Sequence, residues 1–190
     1  MSRNRTLWLA RHGHRLDFIN TEWFDLAYHR YDPPLSELGW QQANILADRL
    51  VQKNIKHIFA SPFLRCIQTA HPIAQKIELP IQIEPNLGEW LNADWISEIP
   101  TLYSQTTLKD IYPLVYWKGD LFYNPTHPET LEQAQFRIHS TIIDLLEKYC
   151  GDILVVGHSI TLSSSLKSLV KPEEEIPTPF GCLLELVLER

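Results

Sequence analysis

The chain has no surplus of positive charge. Its 190 residues include 17 Lys or Arg against 23 Asp or Glu, for a net charge of −6. A general nucleic-acid binder needs a basic face to displace counterions from phosphates, so that class is excluded, while a local basic pocket stays compatible with the total. Cysteine is scarce. Cys66, Cys150 and Cys182 are odd in number and far apart, which points to neither a disulfide framework nor a zinc ribbon. Long apolar runs are absent too. Leu7-Trp8-Leu9-Ala10 stops at Arg11, too short for the apolar part of a signal peptide or for a membrane span. Repeats, low-complexity tracts and Gly/Ser linkers are missing, so nothing divides the chain. The expectation is one soluble, reduced, cytoplasmic domain over residues 1–190, with no membrane or nucleic-acid partner.

What is there alternates. Residues 6–10, 57–60, 81–83, 152–156 and 182–188 read as short apolar strands. Residues 36–53 read as a helix with Ala43, Leu46, Ala47 and Leu50 on one face. Ser61-Pro62 looks like an N-cap and first helical position, opening a helix that runs to about Pro72 or slightly beyond. Residues 129–149 place Leu131, Ala134, Ile138, Ile142, Leu145 and Tyr149 on one face, with Gly151 as the stop, and 159–170 form a shorter helix. Residues 152–156 are continuously apolar, as in a strand buried on both faces of a parallel sheet. The fold class is therefore α/β, a three-layer sandwich with a mostly parallel central sheet and helices on both faces.

Two stretches break the rhythm. Residues 17–34 carry Phe18, Trp23, Phe24, Tyr28 and Tyr31, and residues 90–128 carry eight aromatics from Trp90 and Trp95 to Phe122 and Tyr123 among four prolines. A compact domain does not normally hold structureless loops of that length, so both are expected to cover a site, with 90–128 as a cap-like insertion over the carboxyl ends of the strands. An aromatic subcore is the plainer alternative.

In open α/β sheets a ligand sits outside the carboxyl ends of the strands. The residues that follow each strand are Arg11-His12-Gly13-His14-Arg15, Ser61-Pro62-Phe63-Leu64-Arg65, Glu84 to Trp90, and Gly157-His158-Ser159. Arginines, histidines and a carboxylate so gathered suit phosphoryl chemistry. Arginine forks pair with phosphate oxygens and stay charged. A neutral imidazole is a competent nucleophile, kept neutral by nearby cations, and a carboxylic acid opposite it protonates the leaving oxygen.

These four elements, in this order, resemble the histidine phosphatase superfamily (phosphoglycerate-mutase-like) along essentially the whole chain. Residues 11–17, 61–70 and 84–90 most resemble the T-cell-signalling suppressor and ecdysteroid-phosphate phosphatase group. The resemblance implies that His12 attacks phosphorus, that Arg11, Arg15, Arg65 and His158 hold the phosphoryl oxygens, and that Glu89 is the proton donor. It implies no metal and no organic cofactor. Glu84 and Asp94 are neighbouring carboxylates that could replace Glu89. His14, Trp90 and Trp95 are expected to touch substrate, a small-molecule or peptide phosphomonoester. His14 stands where many members carry Glu or Gln. Leu16, Asp17 and Phe18 occupy the place of the Ser and Asn found in true mutases, so hydrolysis is favoured over mutase chemistry.

Three other readings compete. A serine esterase would use Gly157-His158-Ser159-Ile160-Thr161, but Thr161 stands where a second Gly is needed and no histidine follows His158. A metallohydrolase would use His12 and His14, but three arginines would repel a divalent cation. The alternative outside catalysis is a phosphate-sensing or partner-binding module on the same fold, with exposed aromatics as its contact surface. Oligomeric state is not encoded in any of these features.

Overall fold

A computed structural model describes residues 4–117 and 123–189, so Phe122 lies outside the described residues. The strands β1 (Arg5–Arg11), β2 (Ile55–Ala60), β3 (Ile81–Ile83), β4 (Val115–Trp117), β5 (Asp152–Gly157) and β6 (Leu183–Leu188) form one sheet in the order β4-β3-β2-β5-β1-β6. All neighbours pair in parallel except β6, which runs antiparallel to β1. The helices are α1 (Trp23–Leu26), α2 (Glu37–Leu50), α3 (Leu64–Ile77), α4 (Gln105–Ile111), α5 (Leu131–Lys148) and α6 (Ser159–Leu169).

The period-2 alternation of strand side chains splits the core into two layers. Trp8, Ala10, Leu154 and Val156 face α2, α3 and α4, packing with Leu46, Leu50, Ile67, Ile73 and Leu108. Leu7, Leu9, Ile153 and Val155 face α5 and α6, packing with Ala134, Ile138, Ile142, Ile160 and Leu162. β5 lies between β1 and β2 and carries buried residues on both faces, which is why its sequence is continuously apolar. Truncating a fully buried member such as Ile138 to Ala would cost about 2–5 kcal/mol.

Three boundaries differ from expectation. Helix α3 begins at Leu64, not at Ser61-Pro62, because its first free N–H is capped from afar: Asp32 Oδ1 accepts from Leu64 N at 2.8 Å. The Ser61 hydroxyl is engaged elsewhere. α3 also continues past Pro72 to Ile77, since losing one backbone hydrogen bond is offset by burying Ile73 and Ala74. Its stop is Glu78 in the left-handed conformation (φ 55°), with no glycine to announce it. Within 90–128, the described residues include α4 and the edge strand β4. Leu108, Tyr112 and Val115 there belong to the main core, so much of this insertion extends the sheet rather than covering its end.

Candidate active site

β1, β2 and β5 are adjacent and end together, so the segments that follow them meet at one edge. His12 leaves β1 with its N–H on Gly157 O (2.9 Å), which ties the two loops together. Gly13 then passes close to the first turn of α2, where a Cβ would lie 2.6 Å from Gly39 O, so only glycine fits.

His12 is buried and its Nδ1 lies 2.8 Å from Gly13 O. A carbonyl can only accept, so Nδ1 carries the hydrogen and Nε2 keeps its lone pair. Burial first, then the charges of Arg65 and His158, hold the His12 imidazole well below the usual histidine pKa. It is neutral at neutral pH.

His158, fully buried at the end of β5, is fixed from both sides. Ser61 Oγ lies 2.8 Å from its Nε2, and Glu89 Oε2 lies 3.1 Å from its Nδ1. Ser61 Oγ also accepts from Phe63 N (3.4 Å), which leaves its own hydrogen for Nε2. Nδ1–H of His158 therefore donates to Glu89. Burial lowers the His158 pKa to about 4, with Glu89 opposing and Arg65 and Arg11 adding to the effect. The rings of His12 and His158 are 5.3 Å apart.

Arg65, in the first turn of α3, places its guanidinium between two carboxylates. Nη2 is 3.3 Å from Glu89 Oε2 and Nη1 is 3.6 Å from Asp32 Oδ1. Asp32 is buried, and burial pushes its carboxyl up to about 7 against the pull of Arg65 and the Leu64 N–H. Burial also acts to raise Glu89, but His158, Arg65 and His12 outweigh it and hold this carboxyl well below the usual range. Glu89 Oε2 thus receives the inward donors of both Arg65 and His158. Glu84 acts locally instead, where its carboxylate accepts from Asn86 N and caps the turn over residues 85–87.

An open cleft of about 300 Å³ has Arg11, Arg15, Arg65, Glu89, Trp90 and Trp95 in its wall, while the buried His12 and His158 are not among its lining residues. Arg11 stacks on Phe180 (4.1 Å) and donates to Thr178 O (2.6 Å). Arg15 also lines the cleft, with its fork held on Asp17 at 3.0 and 2.6 Å. His14 is not among the cleft-lining residues. Its ring bonds Ser36 Oγ (2.9 Å) and packs on Phe18 and Phe180. Trp90 and Trp95 meet edge to face and divide the cleft from a larger neighbouring pocket bounded by α6 and residues 175–178. Tyr116, on edge strand β4, lies outside the cleft wall.

Asp32 and Phe180 are not marked by any sequence motif, because each reaches the site from a distant segment, whereas Ser61 lies in the marked stretch after β2 but its contact to His158 is not readable there. One nitrogen each of His12 and His158 and one Glu89 oxygen lie within 4.8 Å of one another, a spacing that would also suit a cation. Arg65 already sits on the same carboxylate and Arg11 and Arg15 line the same cleft, so the field favours an anion.

The profile of the histidine phosphatase superfamily (branch 1) matches residues 7–183. An ecdysteroid-phosphate phosphatase of Drosophila melanogaster is 29% identical over 209 residues, spanning 88% of this chain and 27% of that protein. The transcription factor tau 55 kDa subunit of Saccharomyces cerevisiae is 31% identical over 182 residues, spanning 88% of this chain and 42% of that protein. The chain thus spans roughly a quarter to two fifths of the length of these relatives. Among solved structures, the ecdysone phosphate phosphatase of Bombyx mori in complex with tungstate superposes with a TM-score of 0.71 at 21% identity, covering 98% of this chain and 92% of that one. With His12, Arg65 and His158 following the adjacent ends of β1, β2 and β5 and the family match running over residues 7–183, this chain belongs to the histidine phosphatase superfamily, branch 1.

Proposed function

We propose that this chain hydrolyses phosphomonoesters through a phosphohistidine on His12. The observation that carries the reading is the fixed tautomer of His12: a neutral ring with Nδ1–H tied to Gly13 O, which leaves the lone pair on Nε2 as the nucleophile. Arg11, Arg15, Arg65 and the Nδ1–H of His158 hold the three phosphoryl oxygens and stabilise the charge that spreads over them. As the N–P bond forms, the bond to the ester oxygen breaks and Glu89 delivers its proton to that oxygen. Glu89, now a carboxylate, takes a proton from water. The water oxygen bonds phosphorus as the N–P bond breaks, phosphate leaves, and His12 returns to its neutral state.

The wall formed by Trp90 and Trp95 faces the leaving group, and this part of 90–128 is where substrates are discriminated. The chain is read as a single catalytic domain in a reducing, cytoplasmic setting. Among the described residues no helix is long and apolar enough to cross a membrane, and the three cysteines are free. No metal enters the mechanism, so activity is expected to survive exhaustive chelation. The direct test is hydrolysis of p-nitrophenyl phosphate by the unmodified chain and by His12→Ala. Turnover that His12→Ala abolishes fits the proposal, whereas equal turnover overturns it. An unmodified chain that binds phosphate without turnover would establish the binding-module alternative.

A further inference from the structure

Outside the cleft, Arg137 has all five of its N–H donors engaged on named acceptors. Nε and Nη2 bond the two carboxylate oxygens of Glu129 at 2.8 and 2.7 Å. The other three donors reach backbone carbonyls: Nη1 to Asn86 O (2.6 Å) and Gly88 O (3.1 Å), and Nη2 to Glu89 O (3.4 Å). Neutralising Glu129 needs only the first two, and the Arg137 side chain keeps 20% of its surface in water, where spare N–H groups could be solvated. All three instead grip the segment that ends at Glu89.

Glu129 grips the other side. Its N–H donates to Leu91 O (3.0 Å), and its carbonyl accepts from Trp90 Nε1 (2.9 Å). The pair therefore holds residues 86 to 91 from the start of α5. This segment has a single 3₁₀ turn at Pro85–Leu87 and no strand or helix of its own to set the direction of the Glu89 side chain.

We infer that Arg137, locked by Glu129, is the positioning residue that aims the Glu89 carboxyl at the leaving-group oxygen. The inference rests on Glu89 being the proton donor. It requires an arginine, because a lysine ammonium has three donors and no planar fork to span a carboxylate and three carbonyls together. A displacement of Glu89 by a fraction of an ångström penalises proton delivery but leaves the oxyanion-binding arginines in place.

The test compares kcat/KM for an alkyl phosphate, whose leaving group needs a proton, with that for p-nitrophenyl phosphate, whose leaving group scarcely does. The variants are Arg137→Lys, the charge-balanced double variant Arg137→Met with Glu129→Gln, and Glu89→Gln as reference. Arg137→Lys keeps a cation opposite Glu129 and is expected to fold. It should lose roughly 10- to 100-fold on the alkyl ester and less than about threefold on p-nitrophenyl phosphate, repeating Glu89→Gln in milder form. The double variant should show the same selectivity. Equal losses on both esters, or none, would make Arg137 a purely structural anchor and overturn the inference. If Glu89→Gln is itself unselective, the proton-donor reading fails and takes the inference with it. If Glu89→Gln is selective and the Arg137 variants are not, the inference alone falls.

Discussion

The carboxylate of Glu89 sits 3.1 Å from Nδ1 of His158, and Arg65 Nη2 approaches the same oxygen at 3.3 Å. Both donors belong to the set assigned to the phosphoryl group. In the free protein Glu89 therefore satisfies part of the anion site itself, and these partners keep it ionised. A proton donor has to be protonated, so the two conditions conflict until substrate arrives. In the proposed mechanism, an incoming phosphoryl dianion would draw Arg65 and His158 to its own oxygens and set two negative charges beside the carboxyl, which would raise the Glu89 pKa and load it with the proton it must deliver.

Glu89→Gln is expected to bind inorganic phosphate roughly tenfold more tightly while losing turnover of alkyl phosphates, because the amide cannot compete for Arg65 as a charge. Calorimetry in buffers of different ionisation enthalpy should also record up to about one fewer proton taken up on phosphate binding in the variant. Unchanged affinity together with unchanged proton uptake would mean that Glu89 does not occupy the anion site.

Asp32 gives a stability prediction of definite sign. Its folded pKa of about 7 lies above the ordinary value of 3.8, so the folded state holds the proton more tightly. The stability this contributes is fully present below about pH 4 and is lost as pH rises through about 7. Asn at this position keeps an acceptor for Leu64 N and carries no charge. Asp32→Asn should therefore gain on the order of 1–3 kcal/mol relative to the parent between about pH 5 and about pH 8, read from denaturant unfolding. A gap that does not vary with pH would contradict burial as the dominant influence on Asp32.

Much of this site is legible in order along the chain. Leu7, Leu9, Ile153 and Val155 alternate with Trp8, Ala10, Leu154 and Val156, so strands and their ends can be placed, and with them His12, Arg65 and His158. β4 is not legible because it is three residues long and lies among prolines and aromatics that read as irregular. The Asp32 cap on α3, the Ser61 contact to His158 and the Arg137 grip on residues 86–89 span 32, 97 and 48–51 positions respectively. Periodicity reports which face a residue occupies, not which distant atom its side chain meets. Ser61 misleads for a local reason: Ser-Pro is a good helix start, but the hydroxyl is already committed to an imidazole.

Ser61→Ala tests that commitment. It leaves His158 Nε2 buried with only the Cys66 sulfur nearby, at 3.6 Å, at a cost of about 1–3 kcal/mol. The Nδ1–H tautomer loses its lock, so the ¹⁵N resonances of His158 should shift toward the other tautomer or its average, and kcat/KM should fall roughly tenfold. Unaltered resonances would show that Glu89 alone sets the tautomer.

The central claim is that His12 becomes covalently phosphorylated. The most direct measurement is rapid quenching of the protein during turnover of a ³²P-labelled phosphomonoester, followed by mapping of the label. The account predicts label on the peptide containing His12, stable in alkali, lost in acid and absent from His12→Ala. Undiminished turnover by His12→Ala, with no labelled peptide in either protein, would contradict it.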